Sequence, residues 1–268
     1  MSKRNVENTI IQLLGNGSLE KQILIDRVVK QSHVTIQAVY KNLRKLTVRD
    51  SITIHKKSVS LTLLHIEREL QYWETVSGVY HTRPLASHFL GLREGDSLSL
   101  RFKNLNELDT YWVHAFLLLE RQLPKNFPTY SVIPHDWFYY GRRETDVFWT
   151  QKQKRKQRLI VTHPDKIDML ALRERRKQGY EMTPSVNPLH QEEHEYFTVV
   201  SDWVFKVTID KKLHADLLRI TQQARALENI DQVSLQKLLS KRGQNTMKIY
   251  KSKKRADVII KKVQKYFE

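Results

Sequence analysis

The hydrophobic period of this chain is broken once and then changes once within residues 18–62, SLEKQILIDRVVKQSHVTIQAVYKNLRKLTVRDSITIHKKSVSLT. Leu19, Ile23, Ile25, Val28 and Val29 stand close to helical spacing and predict one apolar helix face. Gln31-Ser32-His33 interrupts that pattern, and Thr35 stands where an N-cap residue opens a second helix. On that helix Ala38, Val39, Leu43 and Leu46 return every three or four residues, which predicts a buried stripe. The opposite face carries Gln37, Lys41, Arg44 and Lys45, with Tyr40 at the border. After Leu46 the period falls to two. Ser51-Ile52-Thr53-Ile54 and Val59-Ser60-Leu61-Thr62 alternate and are joined through His55-Lys56-Lys57-Ser58, a hairpin with a basic tip. A rigid helix that displays long or planar donors on one face is what a reader of base edges and phosphates in a major groove requires.

Charge is the strongest compositional signal, and it is clustered. The 268 residues carry a formal charge of +17. Residues 1–64 hold eleven Lys or Arg against four acids, 141–180 hold twelve against five, and 241–268 hold ten against two. Contact with a polyanion is the natural use of such clusters, because each neutralised phosphate releases counterions; a solvated basic surface is the alternative. The length allows two domains with their own cores, and 40% apolar with 28% charged residues is ordinary for a globular chain. No Cys occurs, which excludes a disulfide framework and thiolate metal sites. No run of 18 apolar residues and no apolar leader at the N-terminus occurs, so a cytoplasmic protein without membrane contact is expected.

The segment TIQAVYKNLRKL, with its T-x-x-x-V-Y-x-x-L-x-x-L pattern and the short basic hairpin behind it, resembles the winged helix-turn-helix of bacterial and archaeal transcription regulators. The resemblance covers residues 1–65. It implies that the second helix of the motif enters the major groove and that the wing touches phosphates or the minor groove. Those roles fall by resemblance on Thr35, Gln37, Tyr40, Lys41, Arg44 and Lys45, and on Lys56 and Lys57. A winged domain used only to bind protein or to dimerise is the alternative.

Around this motif the rest can be placed in order. Residues 3–15 predict an opening helix stopped at Gly15-Asn16-Gly17. Residues 63–76 are helical again, with Ile66, Leu70 and Trp73 on one face, so residues 66–77 form a connecting helix that docks internally or pairs with a second copy. From 78 to 268 the chain alternates strands (96–103, 130–133, 159–162, 196–200, 203–209 and 246–250) with helices (105–123, one opened at His163-Pro164-Asp165, 211–227, 232–239 and 253–267). That order predicts an α/β domain with a mixed sheet, so the whole chain is α+β / α/β. Residues 151–158, QKQKRKQR, and 181–195 are expected to be loops; for the first, the tail of an exposed helix and a second nucleic-acid contact are the alternatives. The sequence of wing, connecting helix and α/β domain is also similar to TrmB-type regulators, in which a phospholipase-D-like effector domain has lost its catalytic motif. That likeness implies ligand sensing or assembly in the second domain, with Trp137, Tyr139, Tyr140 and Trp149 as candidates to line a pocket; packing in the core is their other role.

No catalytic constellation rises above background. His190, Glu193 and His194 have the order of an inverted zinc-protease motif, but Pro188 and the polar surroundings argue against the buried helix that zinc would need. Asp136, Glu144 and Asp146 with Lys152 are too common a set to define a nuclease, and no phosphate-binding glycine loop occurs. The expectation is therefore a regulator that binds double-stranded DNA as a homodimer, with a small-molecule effector, no cofactor, no metal and no catalysis. A nucleic-acid enzyme or its accessory, delivered by the winged domain, is the alternative.

Overall fold

The computed structural model describes residues 6–82, 88–141 and 155–268, and the side chains of these apart from 80–82. Trp149, Glu144, Asp146, Lys152 and Lys154 lie outside the described residues. The chain divides into two compact units, Met1–Arg83 and Pro84–Glu268. Among the described residues no helix is long and apolar enough to cross a membrane.

The first unit runs α1 (Val6–Leu14), β1 (Leu19–Glu20), α2 (Lys21–Ser32), α3 (Ile36–Val48), β2 (Ile52–His55), β3 (Ser58–Leu61) and α4 (Leu63–Thr82). Its three strands are antiparallel in the order β1-β3-β2. Ile10, Leu14, Leu24, Ile25, Val28, Val39, Leu43, Leu46, Ile52 and Val59 make one core, so the apolar faces of α1, α2 and α3 and both hairpin strands close on the same centre. The buried face of α2 is Leu24, Ile25 and Val28; Ile23 points out at 43% exposure and Leu19 belongs to β1, so two residues assigned to the helix face by spacing lie elsewhere. Between α2 and α3 His33 adopts φ 52°, its N–H bonding to the Val29 carbonyl at 2.9 Å, and this left-handed residue closes α2 and turns the chain. Helix α4 extends to Thr82, and none of its described side chains is buried.

In the second unit β4 (Ser97–Phe102), α5 (Leu105–Gln122), β5 (Thr129–Ile133), α6 (Trp137–Gly141), β6 (Gln157–Val161), α7 (Lys166–Lys177), β7 (Glu181–Pro184), β8 (Glu195–Val200), β9 (Trp203–Thr208), α8 (Lys211–Gln222), α9 (Gln232–Leu239), β10 (Asn245–Lys251) and α10 (Lys253–Gln264) follow in order. Seven strands form one sheet, β4-β10-β9-β8-β5-β6-β7, parallel only across β5-β6-β7. The mixed α/β sheet expected from the alternation is present. One face carries the large core, to which α5 gives Leu108, Trp112, Ala115 and Leu119 and the sheet gives Phe205, Val207, Met247 and Ile249. Ala256 and Val263 of α10 cover the other face against Val132, Ile160, Val199 and Val204. Burial on both faces explains why β8 and β9 read as nearly continuous apolar runs.

Two corrections concern loops. Residues 181–184 are the edge strand β7, paired in parallel with β6. In the basic stretch 151–158, Arg155 is buried: its guanidinium bonds Glu120 at 2.5 Å, the Leu123 carbonyl at 2.7 Å and the Phe127 carbonyl at 3.3 Å. Arg158 is bound to Glu181 at 2.8 Å and Lys156 pairs with the same carboxylate, so these three cations clamp strands and the preceding turn. Trp137, Tyr139 and Tyr140 are likewise buried, Trp137 and Tyr140 in the large core and Tyr139 beside the Arg175 guanidinium, 5.1 Å from its ring centre. Burial of this kind fits the packing role.

A buried polar network lies where β5 and β6 end. His135 Nδ1 is 2.6 Å from Asp168 Oδ2, and the backbone N–H of Asp136 donates to Asp168 Oδ1 at 2.8 Å. Asp165 and Asp168 form a capping box that opens α7, and Thr221 donates to Asp165 at 2.7 Å. Burial raises the Asp168 carboxyl above the usual range, opposed by the hydrogen bond from His135. His214 of α8 stands with its ring centre 5.7 Å from that of His135. Burial first, and then the charges of His135, His194 and His163, lower its imidazole to about 4 from the usual 6.5. An unfolded His214 therefore binds a proton near 6.5 and a folded one near 4. Between these values the unfolded chain holds more protons, so stability falls as pH falls and levels off below about 4. Relative to His214→Gln, the native chain should lose on the order of 2–3 kcal/mol from pH 7 to 4, after allowing for residual water access. Urea unfolding at a series of pH values measures this, and identical pH profiles for the two proteins would refute it.

Candidate nucleic-acid interface

Helix α3 presents its two faces cleanly. Val39, Leu43 and Leu46 are buried, while Gln37, Lys41, Arg44 and Lys45 are exposed, and its sequence Ile36–Val48 contains no acid. Ala38, assigned to the stripe by spacing, is only partly buried. Thirteen residues at 1.5 Å each give a helix of about 20 Å, a rod that a major groove about 12 Å wide accepts. Thr35 is the N-cap: its side-chain oxygen accepts from the Ala38 N–H at 3.2 Å. That bond fixes the start of the helix and is worth about 1 kcal/mol; the Thr35 hydroxyl hydrogen stays available to a phosphate.

The sequence-predicted residues are not equivalent. Tyr40 is half-buried, with Lys21 Nζ 5.4 Å from its ring centre, so the ring supports a cation at the surface. Lys45 Nζ lies 3.7 Å from Glu7 and Arg49 bonds the same carboxylate at 3.0 Å. Both pairs are exposed and weak, yet they lower the free positive charge at the end of α3. Lys41 and Arg44 have no acidic neighbour of this kind among the ion pairs of the described residues. With Lys45, Val48 and Arg49 they line an open groove of about 590 Å³. Arg49, the C-cap of α3, and Lys21 were missed from sequence because both lie beyond the periodic stripe that located the helix.

The wing is a two-residue turn. His55 pairs with Ser58 across it, Lys56 sits at its tip with φ 53°, and the Lys57 carbonyl accepts from the Lys21 N–H at 2.7 Å. Lys56 thus occupies backbone space that favours glycine. Both lysines are exposed. In the second unit, Lys254, Lys261 and Lys262 of α10 and its C-cap Lys265 are exposed, whereas Lys241, Lys251 and Lys253 are paired with Asp216, Asp202 and Asp257 at 2.8, 2.6 and 2.8 Å.

No protein-family model matches the chain, and no curated protein matches it in sequence. Among solved structures the chain is similar to TrmBL2, described as an archaeal chromatin protein with a novel mode of DNA binding. The identity is 13% and the TM-score 0.34, over 97% of this chain and 91% of that one. At that distance the likeness carries no functional argument, and function rests on the residues themselves.

Proposed function

We propose that this chain is a double-stranded-DNA-binding regulator whose first unit reads duplex with α3 and grips it with the β2–β3 wing. The observation that carries the reading is the acid-free, exposed cationic face of α3 beside a wing with two lysines at its tip. Gln37 and Arg44 are the side chains suited to base edges, Gln to adenine and Arg to guanine, while Lys41, Lys56 and Lys57 suit phosphates. The apolar side of α4, with Leu70 and Trp73 exposed at 59% and 60%, is the surface proposed to pair two copies, setting two reading helices about 34 Å apart along a duplex. The second unit is proposed as the effector, acting through a bound ligand or through assembly, and no catalytic step is assigned to it.

The two residue classes should separate experimentally. Gln37→Ala with Arg44→Ala should flatten the difference between preferred and random duplexes, each lost base contact costing about 1–3 kcal/mol. Lys56→Ala with Lys57→Ala should weaken every duplex alike and reduce the salt slope by about one unit per lost phosphate contact. Anisotropy titrations over a salt series measure both. If the first pair leaves discrimination intact, α3 is not the reading helix.

A further inference from the structure

We propose that His135 and His214, backed by Asp165 and Asp168, form a binding site for a borderline divalent cation of the zinc type in the second unit. The inference is independent of DNA binding and goes beyond it. Four observations meet at this place. First, His214 is buried and its Nε2 is fully enclosed with no hydrogen-bond partner. An imidazole nitrogen in that state costs free energy unless something occupies its lone pair. Second, His135 is also buried, and its Nδ1 is held by Asp168 at 2.6 Å. A carboxylate bound to one ring nitrogen fixes the tautomer and leaves the other nitrogen as the donor, the arrangement that supports histidine ligands of zinc. Third, the ring separation is within about 0.2–0.5 Å of what a shared ion requires. With zinc–nitrogen bonds of about 2.0–2.1 Å and a nitrogen about 1.2 Å from the ring centre, two imidazoles on one tetrahedral ion stand roughly 5.2–5.5 Å apart, centre to centre. The observed separation is 5.7 Å.

Fourth, the surroundings supply charge and further ligands. Ligand atoms of His135, Asp165 and Asp168 lie within 4.8 Å of one another, His214 stands beside this group through its ring contact with His135, and the two hydrogen-bonded carboxylates balance a divalent charge. Tyr140 is buried nearby, its hydroxyl enclosed and without a partner, in the field of the same two aspartates. His194 on the loop before β8 is part-exposed and His163 after β6 is exposed, and both act electrostatically on His214. The position suits a ligand site, because the crevice beyond the carboxyl ends of parallel strands is where open α/β sheets bind their ligands. With no Cys in the chain, an imidazole and carboxylate set favours Zn²⁺ or its neighbours over Mg²⁺ or Ca²⁺, which demand more oxygen ligands.

The test uses the full chain after chelator treatment and exchange. Calorimetric titration with Zn²⁺ alone should give one ion per chain, abolished by His135→Gln with His214→Gln and unaffected by His33→Gln with His65→Gln in the first unit. Asp168→Asn should keep the stoichiometry and weaken affinity 10–100-fold, as loss of a supporting carboxylate does. If the histidine variants fold poorly, zinc-edge X-ray absorption on the wild-type complex decides. Scattering from two or more imidazoles is expected. An oxygen-only or single-imidazole shell, no binding, or binding unchanged in the double histidine variant overturns the site.

Discussion

Replacing Lys41, Arg44, Lys56 and Lys57 together by Ala lowers affinity for a mixed-sequence duplex about a thousandfold at about 150 mM salt. The magnitude follows from counterion release. Each phosphate neutralised on B-DNA contributes about 0.9 to the slope of log affinity against log salt, or about 0.7 log units of affinity at about 150 mM. The three phosphate contacts of Lys41, Lys56 and Lys57 therefore remove about two log units and flatten the slope by about 2.7, and the Arg44 base contact, worth about 1–3 kcal/mol, supplies the third log unit. Lys45 and Arg49 are left in place because Glu7 already engages both. All four replaced side chains are exposed, so stability should move by less than about 0.5 kcal/mol each, and the loss cannot be assigned to unfolding. Anisotropy over a salt series, with a melting curve for each variant, is the measurement. A loss below tenfold would place binding on the basic surface of α10 instead.

Asp136→Ala destabilises the second unit by about 3–5 kcal/mol. Asp136 and Arg175 are both buried, and the guanidinium holds the carboxylate through two nitrogens, Nε and Nη2, the latter at 3.1 Å. Removing the acid takes away a carboxylate that neutralises a buried guanidinium, which also stands 5.1 and 4.9 Å from the ring centres of Tyr139 and Tyr180. Those rings offset only part of the desolvation. Replacing both partners, Asp136→Leu with Arg175→Met, should cost much less than Asp136→Ala, since neither buried charge is then present to be desolvated. Tryptophan fluorescence during urea unfolding reports this unit, because four of the five tryptophans, Trp112, Trp137, Trp149 and Trp203, belong to it. Equal losses in the single and double variants would show that packing, not charge, sets the cost.

What the sequence made legible follows from how local each signal is. Helix α3 could be read because its stripe persists for 13 residues and Thr35 marks its start. Strands β8 and β9 could be read because two apolar runs flank Ser201, which turns the chain at φ 54°. Strand β1 could not, since two residues show no alternation, and β7 could not, since Glu181–Pro184 ends in a proline and is defined only by its pairing with β6. Helix α8 stops at Gln222, short of the 227 expected, because the apolar residues that follow, Ala224 and Leu227, join the core from outside it. Basic composition hid the burial of Arg155, whose partners lie 28 to 35 residues away in sequence. The cluster of His135, Asp168 and His214 was invisible for a related reason. The fold assembles it from the segment after β5, the first turn of α7 and α8, and no spacing in the chain records that meeting.

The central claim, that α3 and the wing read duplex DNA as a pair, is tested most directly by selecting bound duplexes from a random pool at about 150 mM salt and sequencing what is retained. A sharp inverted repeat, recovered uncut and with half-sites about one helical turn apart, is the expected result. Diffuse retention without a preferred sequence, or retention of cleaved products, would contradict it.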